Sequence, residues 1–555
     1  MEKRWYKVWH PNAPKSFTPE KLIDECLRDN AIKYPEKIAL SFYGRNIKYK
    51  ELDNTIEQLA SGLTNLGIKV GDRVAIYMEN CPQFVIGYFG ILRAGAIVVP
   101  VNPMFKYLEL EYELNDSGAE TLIAFDYLFP EIEKAKSQTK LNNIILTSLW
   151  DYLPENPTLP LPPETKYPKE TIPGTIDFMN LLKEAPLWTG SRVGNFKEDI
   201  AILQYTAGTT GLPKGAMITH SAAAFHIIGT TLTFGYTQED VHIGVMPFFH
   251  VQGMVQSMGA ALVTGCRLVI LTRFTPEVLT QAIAEYKCTV LITTTTMVIA
   301  TINWPGIDQY NLSSLRIVWY GGAPMPIEIS DRLKQKVPNA AMGEGYGLTE
   351  TFGVGAITPR NQSKPGFIGI PFISTDIEIV DLETGLKRIG SEREGEIIIK
   401  TPSAMKGYWN KPEETREALR EGWIYTGDIG KMDEEGYLSI VGRKKELIKC
   451  SGFNVSPVEI EEILYRNSSI SEVAVIGIPD PYRGEVPKVF VVLKPEYKGK
   501  INEEDIINWA KENISSHKRP RIVDFRDSLP KSSAGKILKR ILIEEEKKKG
   551  GERAT

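Results

Sequence analysis

A loop rich in glycine and hydroxyl side chains carries the strongest chemical signal in this 555-residue chain. It occupies residues 205–215 and reads YTAGTTGLPKG. Glycines lack the Cβ atoms that keep a backbone away from a ligand, so the loop could present N–H groups, hydroxyls and one ammonium to phosphate oxygens. It is not a Walker A loop, because Lys214 is followed by Gly215 and Ala216. On its own, the loop does not exclude an ordinary surface turn.

Four further segments contain residue types that suit nucleotide chemistry. Residues 319–324 (WYGGAP) form a Gly-Gly turn that could let a flat ring approach the backbone. Residues 343–350 (GEGYGLTE) combine an aromatic ring, a hydroxyl and two carboxylates among three glycines. Residues 425–428 (YTGD) place a carboxylate beyond a tight turn, and residues 530–536 (PKSSAGK) end a flexible run with a lysine.

The elements that position these segments are short apolar strands that alternate with amphipathic helices. Leucine and isoleucine recur at helical spacing within residues 49–66. Such alternation is typical of parallel sheets clad by helices, so the predicted fold class is α/β. Strands are predicted at residues 74–77, 96–100, 121–124, 267–271, 290–293 and 316–320, with helices at 83–92 and 276–286.

A second, smaller domain is predicted after the charged run at residues 442–446 (GRKKE). An α+β pattern follows it, with helices at 457–465 and 503–513 and strands at 473–478 and 489–493. We expect a large multi-layer N-terminal domain (1–442) and a C-terminal domain (443–555) of a length that suits a compact unit. The proline-rich residues 153–173 are interpreted as an insertion within the large domain, because the alternating pattern resumes after them.

Composition excludes several classes of function. A formal net charge of −4 gives no global electrostatic reason to bind nucleic acid or a membrane. The five cysteines are widely spaced and include no C-x-x-C pair, which predicts reduced thiols and a cytoplasmic location. The N-terminus lacks the apolar stretch of a signal peptide. The most apolar window, residues 84–101, contains an arginine and three glycines and predicts no transmembrane segment.

Taken together and in order, the motifs resemble those of the adenylate-forming superfamily, which includes acyl-CoA synthetases, luciferases and peptide-synthetase adenylation domains. The resemblance implies a large adenylation domain, a small mobile α+β C-terminal domain, and the use of ATP, Mg²⁺ and coenzyme A. The N-terminal pattern also fits, so the resemblance covers essentially the whole chain. The matching stretches are YTAGTTGLPKG, WYGGAP, GYGLTE, YTGD, GRKKELIKCSGFNVSPVEIE and PKSSAGK.

The resemblance implies a set of nucleotide contacts. Thr349 would contact the α-phosphate, and Glu350 with Thr206 would bind magnesium. Asp428 and Arg443 would hold the ribose hydroxyls, since a fixed carboxylate suits two vicinal donors. The residues implied to grip the β- and γ-phosphates are Thr206, Ala207, Gly208, Thr209, Thr210, Gly211 and Lys214. The residues implied around the adenine are Gly321, Gly322, Ala323 and Tyr346, and the further residues implied to bind the cofactor are Glu344, Gly345 and Gly347.

Two further roles follow from the resemblance to two-step enzymes. Lys536 would reach the α-phosphate and the substrate carboxylate together, where attack on phosphorus crowds negative charge. The small domain would then rotate about a hinge near Lys445 to admit the thiol of CoA. Ser451 and Gly452 would lie beside the pantetheine arm.

The identity of the acid is less constrained. Residues 247–250 (PFFH) resemble the segment that closes behind the acyl carboxylate, with His250 as a gate, and no carboxylate occurs between Met246 and Thr272 to bind an amino group. Gly347 stands where acetate-specific relatives carry a tryptophan plug, which favours a longer or bulkier acid. The apolar candidates for the pocket lining are Val251, Met254, Val255, Trp319 and Met325.

The sequence therefore predicts an AMP-forming acyl-CoA synthetase for a medium- or long-chain fatty acid. Four successive threonines at 293–296 leave open a short hydroxy acid such as 4-hydroxybutyrate or 3-hydroxypropionate, and an aryl acid is a further alternative. A luciferase-like or carrier-loading enzyme is disfavoured because the 451–452 segment fits a CoA enzyme. A non-catalytic nucleotide-binding module is disfavoured by the complete set of catalytic groups. A homodimer is left open.

Overall fold

The structure of the chain is a computed structural model. It describes residues 3–10, 13–188, 194–206, 212–322, 325–360, 362–450, 453–480, 483–516, 518–532 and 535–552. Eight predicted site residues lie outside these ranges: Ala207, Gly208, Thr209, Thr210, Gly211, Ala323, Ser451 and Gly452.

The strands are numbered in chain order. They are β1 (Ile38–Phe42), β2 (Arg45–Lys48), β3 (Arg73–Tyr77), β4 (Ile97–Val101), β5 (Thr121–Phe125), β6 (Asn143–Thr147), β7 (Ile176–Asp177), β8 (Ile200–Tyr205), β9 (Gly215–Thr219), β10 (Val241–Gly244), β11 (Arg267–Ile270), β12 (Val290–Ile292), β13 (Ile317–Gly321), β14 (Ala341–Leu348), β15 (Gly353–Ile357), β16 (Ile370–Pro371), β17 (Asp376–Val380), β18 (Gly395–Lys400), β19 (Leu419–Arg420), β20 (Trp423–Met432), β21 (Leu438–Arg443), β22 (Ile448–Cys450), β23 (Phe453–Val455), β24 (Ile470–Asp480), β25 (Gly484–Leu493) and β26 (Ile522–Phe525).

The α-helices are numbered in the same way. They are α1 (Ile23–Lys33), α2 (Tyr49–Asn65), α3 (Pro82–Arg93), α4 (Tyr107–Ser117), α5 (Phe129–Lys136), α6 (Phe178–Glu184), α7 (His220–Phe234), α8 (Ala260–Thr264), α9 (Pro276–Tyr286), α10 (Thr295–Asn303), α11 (Ile327–Lys336), α12 (Pro412–Ala418), α13 (Pro457–Leu464), α14 (Glu503–Asn513) and α15 (Lys539–Glu552). Among the described residues, no helix is both long enough and apolar enough to cross a bilayer.

Within the described ranges the strands form four sheets. The first has the order β16-β15-β14-β13-β12-β10-β11-β1-β2, and the second β7-β6-β5-β3-β4-β8-β9. Both are parallel in their centres and antiparallel only toward their edges. The third sheet, β17-β18-β20-β19 with β21 beside β20, is antiparallel. The α/β fold class is confirmed, with a large N-terminal domain built on these three sheets.

The small C-terminal domain contains the fourth sheet, β23-β22-β25-β24, with β26 parallel to β25. Helices α13 and α15 contact β24, and α14 contacts β26. Its apolar core includes Val475, Val489 and Ile506, each fully buried. This arrangement is the predicted α+β pattern. The position of the domain boundary at 442/443 stays a prediction, although Arg443 itself ends β21 in the third sheet.

Local sequence signals account for the helices that were predicted to the residue. Helix α9 begins at Pro276 and is capped by Thr275, whose hydroxyl accepts a hydrogen bond from Val278 N at 3.1 Å. Helix α14 begins after Asn502, whose side chain and that of Asp505 exchange hydrogen bonds with each other's backbone N–H groups. Capping chemistry therefore determines where these helices begin.

The proline-rich excursion at residues 153–173 crosses from the second sheet to the first. Thr158 N donates to Tyr43 O at 3.0 Å, beyond the end of β1. The hydroxyls of Thr158 and Tyr286 lie 2.7 Å apart. The chain then returns to pair β7 with β6. The excursion thus packs the two large sheets together.

Candidate active site

One cleft collects every described residue that was predicted to have a catalytic or cofactor-binding role. It is bordered by the ends of the 205–215 loop, the carboxyl ends of β13 and β14, and strands β20 and β21. Its remaining border is the loop of the small domain that carries Lys536, called the lysine loop below. The predicted residues that line it are Thr206, Lys214, His250, Gly321, Gly322, Glu344, Gly345, Tyr346, Gly347, Thr349, Glu350, Asp428, Arg443, Lys445 and Lys536. Their assembly in one place agrees with the sequence analysis, and their individual roles stay predictions.

The predicted ribose corner is a buried carboxylate held from two sides. Asp428 in β20 stands opposite Arg443 in β21, and the Arg443 Nε atom lies 2.9 Å from Asp428 Oδ1. The Tyr346 hydroxyl donates to Asp428 Oδ2 at 2.6 Å. Burial, reinforced by the adjacent Asp428 carboxylate, raises the pKa of Tyr346 well above its usual value. The tyrosine therefore stays protonated, and its hydrogen bond fixes the orientation of the Asp428 carboxylate.

The predicted phosphate corner is closed at the base of the 205–215 loop. Thr206 N donates to Lys214 O at 3.0 Å, and Lys214 N donates to Thr206 Oγ1 at 3.3 Å. The loop connects β8 to the antiparallel strand β9, so these bonds continue the ladder between the two strands. They fix both ends of the loop close together.

Sequence reasoning missed one side chain in this corner. The Tyr408 hydroxyl donates to Glu350 Oε1 at 2.6 Å, and Lys214 Nζ lies 4.7 Å from the centroid of the Tyr408 ring. Tyr408 belongs to the short stretch KGYW, which contains no recognisable chemical motif. Its proximity depends on the pairing of this stretch with β9, which only the three-dimensional structure reveals.

The predicted adenine wall depends on glycines for close approach. Gly321 stands opposite Gly345 where β13 pairs with β14, and a Cβ atom on Gly321 would lie 2.7 Å from Gly345 O. Gly322 has a φ of +86°, which favours glycine.

Burial, with a contribution from Glu462 of the small domain, raises the pKa of Glu344 to about 7. The Glu344 carboxyl is therefore partly neutral near physiological pH.

Gly347 has a different reason to be glycine from the one predicted. The sequence analysis interpreted it as a vacancy that leaves room for a longer acyl chain. A Cβ atom there would lie 2.0 Å from Gly353 O and 2.9 Å from Val354 Cα. The β14–β15 pairing is irregular at this residue and brings the opposite backbone against it. The hairpin gives Gly347 a structural reason to be glycine, and its predicted link to the length of the acid stays a prediction.

The lysine loop of the small domain touches the large domain at the start of α10. Gly535 has a φ of +76°, and a Cβ atom on it would lie 2.5 Å from Thr296 Oγ1. The loop is closed by Ser532, whose N–H donates to Lys536 O at 2.8 Å. Burial, and then the nearby Arg443 guanidinium, lower the pKa of Lys536. The docked loop thus brings an ammonium into the cleft.

His250 lies near this lysine. Burial, with a smaller contribution from Lys536, lowers the pKa of His250 to about 4, so the imidazole is neutral at physiological pH. Its Nδ1 atom accepts a hydrogen bond from Gln252 N at 3.3 Å. A neutral imidazole beside the Lys536 ammonium is compatible with the predicted gate. His250 therefore adds no positive charge of its own next to this lysine.

The predicted acyl side of the cleft includes an unusual helix. Residues Gln252–Gly259 form a π-helix that continues into α8. Its i→i+5 bonding changes which side chains share a face, and Gln252 and Gln256 line the cleft. The prediction for Met254 and Val255 was wrong, because both are fully buried in the core. The other predicted lining residues do face the cleft: Val251, Trp319 and Met325.

The predicted hinge is bounded by two ion pairs. Lys444 Nζ lies 3.0 Å from Glu396 Oε2 of β18, in the large domain. Glu446 Oε2 lies 3.6 Å from Lys539 Nζ, at the start of α15 in the small domain. Lys445 therefore separates a residue tied to one domain from a residue tied to the other.

The fold and this site define a class of enzyme that activates a carboxylic acid with ATP. The chain belongs to the AMP-binding enzyme family: the family model described as AMP-binding enzyme matches residues 27–409, and the model described as AMP-binding enzyme C-terminal domain matches residues 459–536. It is an AMP-forming acid–CoA ligase of the adenylate-forming superfamily.

The names of similar proteins specify more than one kind of acid substrate. The chain is 39% identical to a long-chain-fatty-acid–CoA ligase of Bacillus subtilis (strain 168), with 98% of each chain covered. It is 33% identical to a 4-coumarate–CoA ligase, CCL1, of Humulus lupulus, with 96% of each covered. The solved anthranilate CoA ligase AuaEII in complex with anthranoyl-AMP matches with a TM-score of 0.85 at 26% identity, over 97% of this chain and 99% of that one. The family is thus shown, whereas the acid is not.

Proposed function

We propose that the acid activated by this chain is a medium- or long-chain fatty acid. The observation that carries this proposal is the similarity of the whole chain, at 39% identity, to the long-chain-fatty-acid–CoA ligase of Bacillus subtilis. The apolar side chains of Val251, Trp319 and Met325 on the acyl side of the cleft support it. Each CH₂ group buried against such a surface contributes about 0.8 kcal/mol.

An aryl or hydroxylated acid is the second candidate. The 4-coumarate–CoA ligase and the anthranilate CoA ligase among the relatives favour an aromatic acid. Gln252 and Gln256 beside Thr294 and Thr296 supply amides and hydroxyls on the acyl side, which favour an acid with a polar substituent. These side chains make the choice of acid an experimental question.

In the first half-reaction, the substrate carboxylate oxygen forms a bond to the α-phosphorus of ATP, and the bond from that phosphorus to the bridging oxygen of pyrophosphate breaks. Lys536 would neutralise the charge that accumulates on the carboxylate and α-phosphate, and Thr349 would donate to the α-phosphate. Lys214 would steady the departing pyrophosphate. These steps need preorganised cations where charge develops.

Mg²⁺ is proposed as the ion that accompanies ATP. Among the described residues, no group of three His, Cys, Asp or Glu side chains could hold a metal ion. Mg²⁺ commonly binds through one or two carboxylates together with substrate phosphates, and Glu350, which lines the same cleft as Thr206 and Lys214, fits that mode. When bound, the ion would neutralise the phosphate oxygens of ATP.

In the second half-reaction, the CoA sulfur forms a bond to the acyl carbon, and the bond from that carbon to the AMP oxygen breaks. We propose that the small domain rotates about Lys445 between the two steps. The ion pairs Lys444–Glu396 and Glu446–Lys539 on either side support a pivot confined to this residue. Ser451 and Gly452 beside the pantetheine arm, a reduced cytoplasmic location and a homodimer remain predictions.

A panel of acids tests the proposal. Purified protein is incubated with ATP, Mg²⁺ and CoA and with acids from acetate to palmitate, together with 4-hydroxybutyrate, 4-coumarate and anthranilate. We expect AMP release to depend on both acid and CoA and to be fastest with a medium- or long-chain acid. Fastest turnover of an aryl or hydroxy acid would replace the proposed substrate class.

A further inference from the structure

A short segment of the large domain, residues 405–411, contacts two parts of the phosphate corner through its backbone. One part is Glu350, and the other is the base of the 205–215 loop. Met405 N donates to Glu350 O at 2.8 Å. Trp409 N donates to Gly215 O at 2.8 Å, at the last residue of the 205–215 loop. The segment therefore joins the base of this loop to the turn between β14 and β15 that carries Glu350.

Tyr408 in the middle of this segment repeats that connection with its side chain. It is 6% exposed, and its hydroxyl donates to Glu350 Oε1 at 2.6 Å. Lys214 Nζ lies over the face of the Tyr408 ring, 4.7 Å from the ring centroid. Cation–π attraction holds an ammonium at such a position, and a hydrogen bond to a carboxylate restricts the rotation of that carboxylate.

The alternative arrangement would be a direct ion pair between Lys214 and Glu350. Opposite charges in one cleft attract each other, and such a pair would occupy both groups. Among the described residues, the ammonium of Lys214 makes no salt bridge, and the tyrosine contacts both side chains. The two charges therefore stay available to a ligand.

We propose that Tyr408 is a positioning residue that orients Glu350 for magnesium and holds Lys214 for the phosphates of ATP. This inference rests on the proposed function of the cleft as an ATP·Mg²⁺ site. It assigns two separable tasks to one side chain: the hydroxyl acts on the carboxylate, and the ring acts on the ammonium. Removal of the hydroxyl alone should therefore affect the metal-dependent part of nucleotide binding.

Two variants separate these tasks. Tyr408→Phe keeps the ring and removes the hydroxyl, whereas Tyr408→Leu removes both. Tyr49→Phe is the matched control. The buried Tyr49 hydroxyl donates to Cys266 O at 2.6 Å, and this hydrogen bond lies outside the cleft. The dissociation constant of ATP is measured by calorimetry for each protein, with Mg²⁺ titrated from none to saturation, and no acid is required.

We expect Tyr408→Phe to raise the Mg²⁺ concentration needed for half-maximal ATP binding about tenfold, as a lost hydrogen bond to a charged group implies. Its affinity for ATP without Mg²⁺ should change less than about twofold. Tyr408→Leu should in addition weaken ATP binding without Mg²⁺ by about two- to fivefold, because the cation–π contact is lost. Tyr49→Phe should leave both quantities unchanged.

The inference is overturned if Tyr408→Phe matches Tyr49→Phe in the Mg²⁺ titration. It is equally overturned if Tyr408→Phe weakens ATP binding to the same extent with and without Mg²⁺, since that pattern indicates a structural effect on the loop. Retained ATP binding without Mg²⁺, within about twofold of the wild-type protein, checks that Tyr408→Phe is folded. Failure of the proposed function is a separate result, because it appears in the wild-type protein as a lack of AMP release with every acid.

Discussion

At the predicted ribose corner of the cleft, side chains bind one another, whereas on the predicted acyl side two glutamine side chains bind backbone carbonyls. Asp428 accepts a hydrogen bond from Tyr346 and pairs with Arg443, all three from predicted motifs. On the acyl side, Gln252 Nε2 donates to Thr293 O at 2.9 Å, and Gln204 Nε2 donates to Phe249 O at 3.0 Å.

This difference indicates how far the sequence of each side of the cleft can vary. A network of paired charges fails when one member changes, because the partner is left buried without compensation. A wall whose shape comes from a π-helix can exchange its exposed side chains and keep its backbone. We therefore expect substitutions on the nucleotide side to abolish chemistry and those on the acyl side to shift the choice of acid.

The largest effect is expected for Lys536→Ala. Loss of one preorganised donor at the developing charge should lower adenylation by about 10²–10³. Thioester formation from synthetic acyl-adenylate plus CoA should largely survive, since that step needs no attack on phosphorus. Lys498→Ala, which removes an exposed partner of Asp527 in the same domain, is the control and should change neither rate. Equal losses in both assays for Lys536→Ala would assign the lysine a structural role.

The pH dependence of adenylation provides the next test. Burial and the nearby Arg443 lower the pKa of Lys536, so its cation is lost as the pH rises and at a lower pH than for an exposed lysine. Adenylation should accordingly fall about tenfold per pH unit above that pKa, when measured as pyrophosphate exchange. Lys536→Arg should react more slowly but without this descending limb, because a guanidinium stays protonated. The same limb in both proteins would exclude Lys536 as its origin.

The described residues predicted for the nucleotide side all line the cleft, whereas Met254 and Val255 of the predicted acyl lining do not, and this difference has a physical reason. Phosphate and ribose chemistry needs particular groups, and residues such as Asp428 and Lys536 are recognisable in short motifs. Tyr408 was missed because its contacts depend on the pairing of distant segments. Met254 and Val255 were misinterpreted because helical spacing does not reveal a π-helix, and the backbone contact at Gly347 was missed because residue size does not reveal an irregular hairpin. Regular capped helices such as α9 were predicted accurately because their signals are local.

A smaller effect is expected where the small domain docks. Gly535→Ala would add a Cβ atom 2.5 Å from Thr296 Oγ1 at a residue with a φ of +76°. The left-handed conformation costs an L-residue about 1–2 kcal/mol, so adenylation should fall roughly tenfold. Gly499→Ala is the matched control: its φ is +74° and no atom lies within 4 Å of the added Cβ.

The double variant Gly535→Ala/Thr296→Ala separates the contact from the backbone strain. Removal of the Thr296 hydroxyl should restore part of the adenylation rate, and the recovered fraction measures the coupling between the two residues. Thioester formation should be affected less than adenylation throughout, because the proposed rotation undocks this loop. Full additivity of the two substitutions would show that Gly535 and Thr296 do not interact in the adenylating enzyme.

The smallest effect is expected on the acyl side, at Gln256. This residue is 6% exposed and faces the cleft from the π-helix, so a buried amide borders the space offered to the acid. Gln256→Leu should raise kcat/KM for straight-chain acids about fourfold relative to hydroxy acids, the equivalent of one buried CH₂ group, and should leave the KM for ATP unchanged. Ser257→Ala is the control, because Ser257 is buried on the same π-helix. A changed KM for ATP in Gln256→Leu would contradict the separation of the two sides, since an acyl-side substitution would then disturb the nucleotide network.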